Sequence, residues 1–237
     1  MNPVFPKSYN QNSKPSLFCP GCGHPLILTA LAEAIDELKL AKKAVLSLDI
    51  GCSLLAWDFL HIKTFQTHHG RTVPTAVGYK IGRPKDMVIA YVGDGGGYAI
   101  GLQSLLHAAH RQEPITVIVV NNAVYGMTGG QAAPTSLKGQ LTDSLPGGQP
   151  FLGAEMVAGA AGDKSYISRT AIDNPEEVKK YILKALRHQQ NGHFSLVEVL
   201  SVCPVNWKTA PPATLAFLDK MKGIYQIGEL KKCLRDC

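Results

Sequence analysis

Two short apolar runs, VIAYV at 88–92 and ITVIVV at 115–120, constrain this chain more than any other feature. Their β-branched content and lack of polar alternation mark strands buried on both faces, the pattern of a parallel sheet. Parallel neighbours need a crossover between them. Ile100, Leu102, Leu105, Leu106 and Ala109 recur at helical spacing in the interval, and Glu113-Pro114 closes the helix before the second strand. The stretch 88–130 therefore reads as one strand–helix–strand unit.

Both strands end in turns that carry chemistry. The first runs into Gly93-Asp94-Gly95-Gly96-Gly97 and the second into Asn121-Asn122-Ala123-Val124-Tyr125-Gly126. In a parallel sheet both ends open on one edge, where ligands of open α/β sheets bind. Glycines let backbone approach a phosphate closely. Asp94, with an asparagine delivered from the neighbouring strand end, makes an oxygen-only set suited to Mg²⁺ that also holds phosphate oxygens. A lone GDG would be only a flexible turn, and two asparagines only a strand end. The 25 residues between Gly95 and Asn121, filled by the right crossover, favour a metal–diphosphate site.

The 237 residues, 45% hydrophobic and 18% charged, suffice for one domain with a substantial core. Further strands are expected at 44–48, 64–67, 165–170 and 195–200, giving a doubly wound, mostly parallel six-stranded α/β sheet. Helical patterns flank them at 25–38, 54–60, 72–81, 151–161, 175–187 and 213–225. Asn174 caps the fifth of these, with Pro175, Glu176 and Glu177 in its first turn. Segment 1–16 reads as a flexible lead without the apolar stretch of a signal peptide, 17–210 as the domain, and 211–237 as a C-terminal helix and tail. No apolar run approaches the roughly 18 residues of a membrane span, so a cytoplasmic protein is expected. The net charge of +6 is modest and its lysines scattered, which argues against nucleic acid and leaves an acidic protein partner open.

Six cysteines in a reducing compartment point to metal or redox chemistry rather than disulfides. Cys19-Pro20-Gly21-Cys22 sits just before a helix that begins near Pro25. Such a pair can be a thioredoxin-like dithiol, half of a zinc site or half of an iron–sulfur site. The dithiol is disfavoured, because a polar, proline-containing lead precedes the motif where a strand would be needed. Cys52 follows the strand at 44–48 and Cys203 follows the strand at 195–200. Alone, each would be a small buried hydrophobe. Together the four thiols fall on the sheet edge that carries Asp94, and by count they suit zinc or a [4Fe–4S] cluster equally.

CPGCGH, IGCS, THHGR, GDGGGYAIG, NNAVYGMTGGQ and SVCPVNW occur in this order across roughly residues 17–207. The series resembles the β subunit of 2-oxoacid:ferredoxin oxidoreductases, a thiamine diphosphate-dependent family with pyruvate, 2-oxoglutarate and branched-chain members. The resemblance implies the thiamine diphosphate-binding fold. It also implies Mg²⁺ held by Asp94, the Asn122 side chain and the Val124 carbonyl, with the amides of Gly95 and Gly96 on the diphosphate. Ile50, Gly51, Cys52, Ser53, His69, Gly126 and Met127 would border the cofactor. Cys19, Cys22, Cys52 and Cys203 would ligate one [4Fe–4S] cluster, leaving Cys233 and Cys237 in the tail. His69 is the one catalytic candidate.

The implied reaction is coenzyme A-dependent oxidative decarboxylation of a 2-oxoacid, with electrons passed to ferredoxin. The glutamate that tunes the cofactor's aminopyrimidine has no counterpart here, so an α subunit carrying a pyrimidine-binding module is expected, with γ and δ subunits as further partners. Some members carry a lysine where this chain has Gly129, which disfavours 2-oxoglutarate. The tail is also shorter than the family's usual extension. Two other classes compete: a non-redox thiamine lyase or synthase would need none of the cysteines, and a zinc-binding interaction module would leave the diphosphate motif unexplained.

Overall fold

The computed structural model describes residues 5–12, 16–144 and 148–232. Its strands are β1 (Ala44–Leu48), β2 (Lys63–Gln66), β3 (Met87–Gly93), β4 (Thr116–Asn121), β5 (Tyr166–Ala171), β6 (Ser195–Leu200) and β7 (Gly228–Lys231). They form one sheet in the order β2-β1-β3-β4-β6-β5-β7. The first six run parallel. β7 pairs antiparallel with β5, so the sheet has seven strands where six were expected. The reason for the miss is local: GELK has no apolar run and is only half-buried along its length. Polar contacts made far away in sequence hold it. Glu229 accepts from Lys184 Nζ at 2.6 Å and from the Tyr166 hydroxyl at 3.1 Å, and Lys231 Nζ donates to the Ala161 carbonyl at 2.5 Å. A charged edge strand of this kind also blunts edge-to-edge pairing.

The helices are α1 (His24–Glu37), α2 (Thr72–Gly82), α3 (Leu102–His110), α4 (Gly153–Ala160), α5 (Pro175–Gln190), α6 (Pro204–Trp207) and α7 (Pro211–Ile224). Every residue of β1, β4, β5 and β6 is buried, as two-sided coverage of a parallel sheet requires. Alternate residues serve opposite layers. Leu46, Leu48, Ile89, Tyr91, Ile118 and Val199 meet Ile27, Leu31 and Ile35 of α1, Ile182 and Leu186 of α5, and Leu218 and Met221 of α7. Val88, Ala90, Val92, Val117 and Val119 meet Val73 of α2, Leu105 of α3 and Val157 of α4. Asn174 caps α5 as its sequence suggests, its side chain accepting from the Glu177 N–H at 3.2 Å.

Two departures from regular helix lie at the sheet's carboxyl edge. Cys52–Asp58 forms a 3₁₀ helix, and Gly96–Ile100 forms a π turn before α3 begins. The π turn is the wider of the two, and such turns often occur at functional sites. The chain leaves β1 for the edge strand β2 and then returns to β3 on β1's other side. That reversal opens a crevice above the carboxyl ends of β1 and β3. Asp49, Asp94 and Asn122 follow β1, β3 and β4 directly.

The N-terminal residues pack against the segment that leads into β2: Asn10 Nδ2 donates to Asp58 Oδ1 at 2.9 Å, and Tyr9 forms a bridge with Leu60. Cys233 and Cys237 lie outside the described residues. Among the described residues no helix is long and apolar enough to cross a membrane.

Candidate functional site

The crevice holds an open cleft. Ile50, Gly51, Cys52, Ser53, His69, Asp94, Gly95, Gly96, Asn122, Val124, Gly126 and Met127 all line it. Asp94 is 2% exposed; the Gly95 N–H donates to its Oδ1 at 2.8 Å and the Thr135 hydroxyl donates to its Oδ2. Burial pushes its carboxyl up to about 7 despite these donors. A carboxyl so placed ionises readily only beside a cation. Asn122 is also buried, its Oδ1 accepting from the Val124 N–H at 3.3 Å and its carbonyl from the Trp207 indole at 3.0 Å. Between them Ala123 takes a left-handed φ of 55°, rare for a residue with a Cβ. The Ser136 hydroxyl and the Gln140 amide hold that turn by donating to the Ala123 carbonyl at 2.7 and 2.9 Å.

The raised Asp94 value gives a pH signature. In metal-free protein the folded state takes up a proton at about pH 7, whereas the unfolded chain does so near 3.8. Between those values the folded state binds more protons, so stability falls as pH rises. Thermal melts in chelator from pH 5 to 8 should show this decline in wild type and lose part of it in Asp94→Asn.

The two glycines after Asp94 are required by space. A Cβ on Gly95 would lie 2.0 Å from the Tyr125 ring, and one on Gly96 would lie 1.7 Å from Asp49 Oδ2. Asp49 cannot easily yield. Its Oδ1 accepts from the Gly70 N–H at 2.8 Å and from the Thr72 hydroxyl at 3.1 Å, while its Oδ2 meets His69 Nδ1 at 3.3 Å. Forcing a methyl group into a packed site costs about 1–3 kcal/mol. If the cleft takes the thiamine diphosphate that the sequence resemblance implies, Gly96→Ala is therefore expected to weaken its binding by roughly 5- to 150-fold, measurable by titration calorimetry. Unchanged affinity would mean that the turn shifts freely.

The four cysteines are all free thiols, Cys19 exposed, Cys22 and Cys52 partly buried and Cys203 buried. Gly21, at φ 75°, makes the tight turn between the first two, and the Cys22 N–H donates to the Cys19 carbonyl at 3.1 Å. The Gly23 N–H reaches the Val202 carbonyl at 3.4 Å, bringing this loop against the one that carries Cys203. A Cβ placed on Gly126 would lie 3.2 Å from Cys52 Sγ and 3.6 Å from Cys203 Sγ, so these two thiols flank the cleft-lining turn. Burial pushes Cys22 up to about 11 and Cys52 up to about 12, and Cys203 upward as well. The other three thiols raise Cys52 further. Protonated thiols that oppose one another's ionisation are what a cationic centre would convert to ligands. Among the described residues no three His, Cys, Asp or Glu side chains gather closely enough for a single metal ion.

His24 lines the cleft on the thiol side. It is buried, bonds the Tyr91 hydroxyl through Nδ1 at 2.7 Å and stacks on Phe18, and burial pushes it down to about 4, hence neutral. His69, about one-third exposed, touches Asp49 and the edge of Tyr125 and has no contact with Asp94.

The sequence reading missed Asp49, although an aspartate closing a strand at this edge is a legible signal. It also missed Thr135 and Asn206, whose roles depend on loop packing. A buried network beneath the Asn121 turn escaped it too. Asn121 Nδ2 donates to Glu198 at 2.7 Å, Arg169 Nε donates to Glu198 at 2.7 Å, and the Arg169 fork pairs with both Glu155 oxygens at 2.6 Å.

The chain as a whole is similar to known proteins. Residues 49–199 match the family model described as "Thiamine pyrophosphate enzyme, C-terminal TPP binding domain". The 2-oxoglutarate synthase subunit KorB of Archaeoglobus fulgidus is 35% identical over 209 residues, covering 87% of this chain and 76% of that one. The ketoisovalerate oxidoreductase subunit VorA of Methanothermobacter marburgensis is 35% identical over 233 residues, and there the match spans 93% of this chain but 48% of the relative. Among solved structures, the 2-oxoglutarate:ferredoxin oxidoreductase from Magnetococcus marinus superposes with a TM-score of 0.82 at 25% identity, over 100% of this chain and 87% of that one. With the family model and a KorB relative matched along most of its length, the chain belongs to the thiamine pyrophosphate enzymes, among the β subunits of 2-oxoacid:ferredoxin oxidoreductases.

Proposed function

We propose that this chain, joined to a partner α subunit, catalyses the coenzyme A-dependent oxidative decarboxylation of a 2-oxoacid to acyl-CoA and CO₂, with electrons leaving to ferredoxin. The observation that carries the reading is the position of Cys52. It lines the cleft of Asp94 and Asn122, and its sulfur flanks Gly126 beside Cys203. A non-redox thiamine enzyme would use the first set of residues and need none of the thiols; a zinc module would do the reverse. Only a redox thiamine enzyme uses both.

On this reading Asp94, the Asn122 side chain and the Val124 carbonyl would hold Mg²⁺ and the Gly96 amide would face the diphosphate, while the Gly95 N–H that the resemblance also gave to the diphosphate is taken by Asp94 Oδ1. Ile50, Gly51, Ser53, His69, Gly126 and Met127 border the rest of the cofactor. Cys19, Cys22, Cys52 and Cys203 hold a [4Fe–4S] cluster, whose four irons spread the ligands wider than one ion would. When bound, thiamine diphosphate supplies the nucleophilic carbon and electron sink for decarboxylation, and the cluster supplies one-electron transfer.

The chain's own residues bind and orient. Asp49 ties the β1 turn to Gly70 and Thr72 and positions His69, while Thr135 and the Gly95 amide fix the Asp94 carboxylate. Ile50 and Met127 leave an apolar rim, 36% and 46% exposed, which the α subunit's pyrimidine-binding module would cover while supplying the missing glutamate. Residues 17–210 form the cofactor domain, 211–232 add α7 and β7 to it, and the complex works in the cytoplasm.

The test is co-expression with the candidate α subunit, followed by an anaerobic assay of ferredoxin reduction with a panel of 2-oxoacids. Reduction that requires both a 2-oxoacid and coenzyme A, and that this chain alone does not perform, is expected. Decarboxylation without any acceptor reduction would instead support the non-redox lyase.

A further inference from the structure

Asn206 joins the two halves of the site. It lies three residues beyond Cys203 in α6, and its Nδ2 is 3.3 Å from Cys203 Sγ and 2.9 Å from the Gly126 carbonyl. An amide nitrogen carries two hydrogens, so one group can donate to both acceptors at once. The side chain is half-buried beside the Gly126 and Gly130 backbone. A Cβ on Gly126 would lie 3.5 Å from Nδ2, and one on Gly130 would lie 3.4 Å from the Asn206 Cβ. The next residue, Trp207, donates its indole N–H to the Asn122 carbonyl at 3.0 Å. Two consecutive residues of α6 therefore grip the turn that borders the cleft.

We propose that Asn206 is a positioning residue that raises the reduction potential of the thiolate-bound cluster and fixes the Gly126 turn against it. This rests on the iron–sulfur reading above. An N–H donated to an anionic sulfur is a charge-assisted bond, and it strengthens as the sulfur gains negative charge. It therefore favours the reduced cluster, and hydrogen bonds to cluster sulfurs are among the determinants of potential. The second bond uses the same nitrogen to hold the Gly126 turn that borders the cleft.

The experiment compares wild type, Asn206→Leu and Asn206→Asp in the assembled holoenzyme. Iron and thiamine diphosphate content, the cluster midpoint from an EPR-monitored redox titration, and the dissociation constant of thiamine diphosphate are measured for each. Asn206→Leu, close in size and without an N–H, should keep its iron, shift its one-electron reduction equilibrium about tenfold toward the oxidised cluster, about 59 mV, and weaken thiamine diphosphate binding severalfold. An unchanged midpoint in Asn206→Leu overturns the proposal, as does a shift confined to Asn206→Asp, which would report added charge alone.

Should Asn206→Leu lose its iron, the D₂O-induced shift of the Fe–S(Cys) stretching bands decides between wild type and Asn206→Asp. A smaller shift in the variant supports the bond and an equal one overturns it. Wild-type holoenzyme without iron would remove the cluster reading itself, a result distinct from any of these.

Discussion

Arg169→Met is expected to destabilise the fold by about 3–5 kcal/mol, the usual cost of stripping one partner from a buried ion pair. Arg169 and Glu198 are both fully buried, and Glu198 would be left with Asn121 as its remaining partner. The pair gains from geometry as well as charge: the guanidinium forks onto both oxygens of Glu155, gives a further N–H to the Gln226 carbonyl at 3.2 Å, and lies 5.2 Å from the centroid of the Tyr225 ring. Two strands, one helix and the segment between α7 and β7 are therefore joined through one side chain. Urea denaturation of the cofactor-free chain measures the loss. A change below about 1 kcal/mol would show that Glu198 protonates and the site closes without the arginine. Because Asn121 Oδ1 accepts from the Ala123 N–H at 3.1 Å, a surviving variant should also loosen the cofactor turn.

Asp94→Asn should have the opposite profile, harmless to the fold and ruinous to the site. The substitution keeps an acceptor for the Gly95 N–H and removes a carboxyl that burial already pushes toward its neutral form. Losing even an outer partner of a metal ligand costs about 10- to 100-fold in affinity. Loss of the only acidic group in the oxygen set is expected to weaken Mg²⁺-dependent thiamine diphosphate binding by more than about 100-fold. Iron content should stay at the wild-type level, since Asp94 bonds none of the cysteines. Retained cofactor in Asp94→Asn would remove Asp94 from the cation site; loss of iron together with cofactor would mean that the two centres fold as one.

The crossover 88–130 was legible because its evidence is local: apolar strands, helical spacing and glycine turns all lie within one short stretch. Asp94 and the asparagine turn after β4 were legible by the same logic, as strand ends of a parallel sheet must share an edge, whereas the particular roles of the Asn122 side chain and the Val124 carbonyl came only from the resemblance. Asp49 could have been read the same way. Thr135 could not, since it reaches Asp94 from 41 residues away through a loop without periodicity. β7 was invisible for a similar reason, because its polar residues are satisfied by Lys184, Tyr166 and two helix-end carbonyls rather than by burial. Asn206 read as one letter of a motif, whereas its double hydrogen bond depends on a short helix that propensity cannot signal. The sequence pattern thus located the strand ends, and the loops that complete the site came from tertiary packing.

Metal analysis decides whether one cleft serves both a diphosphate cofactor and a four-thiol cluster. The assembled enzyme would be purified without oxygen, and its iron, acid-labile sulfide, zinc and thiamine diphosphate measured beside those of a Cys203→Ser variant. The account predicts about four irons per copy of this chain above those held by other subunits, together with bound thiamine diphosphate, and loss of those irons in the variant. Thiamine diphosphate without iron, or stoichiometric zinc in its place, would contradict it.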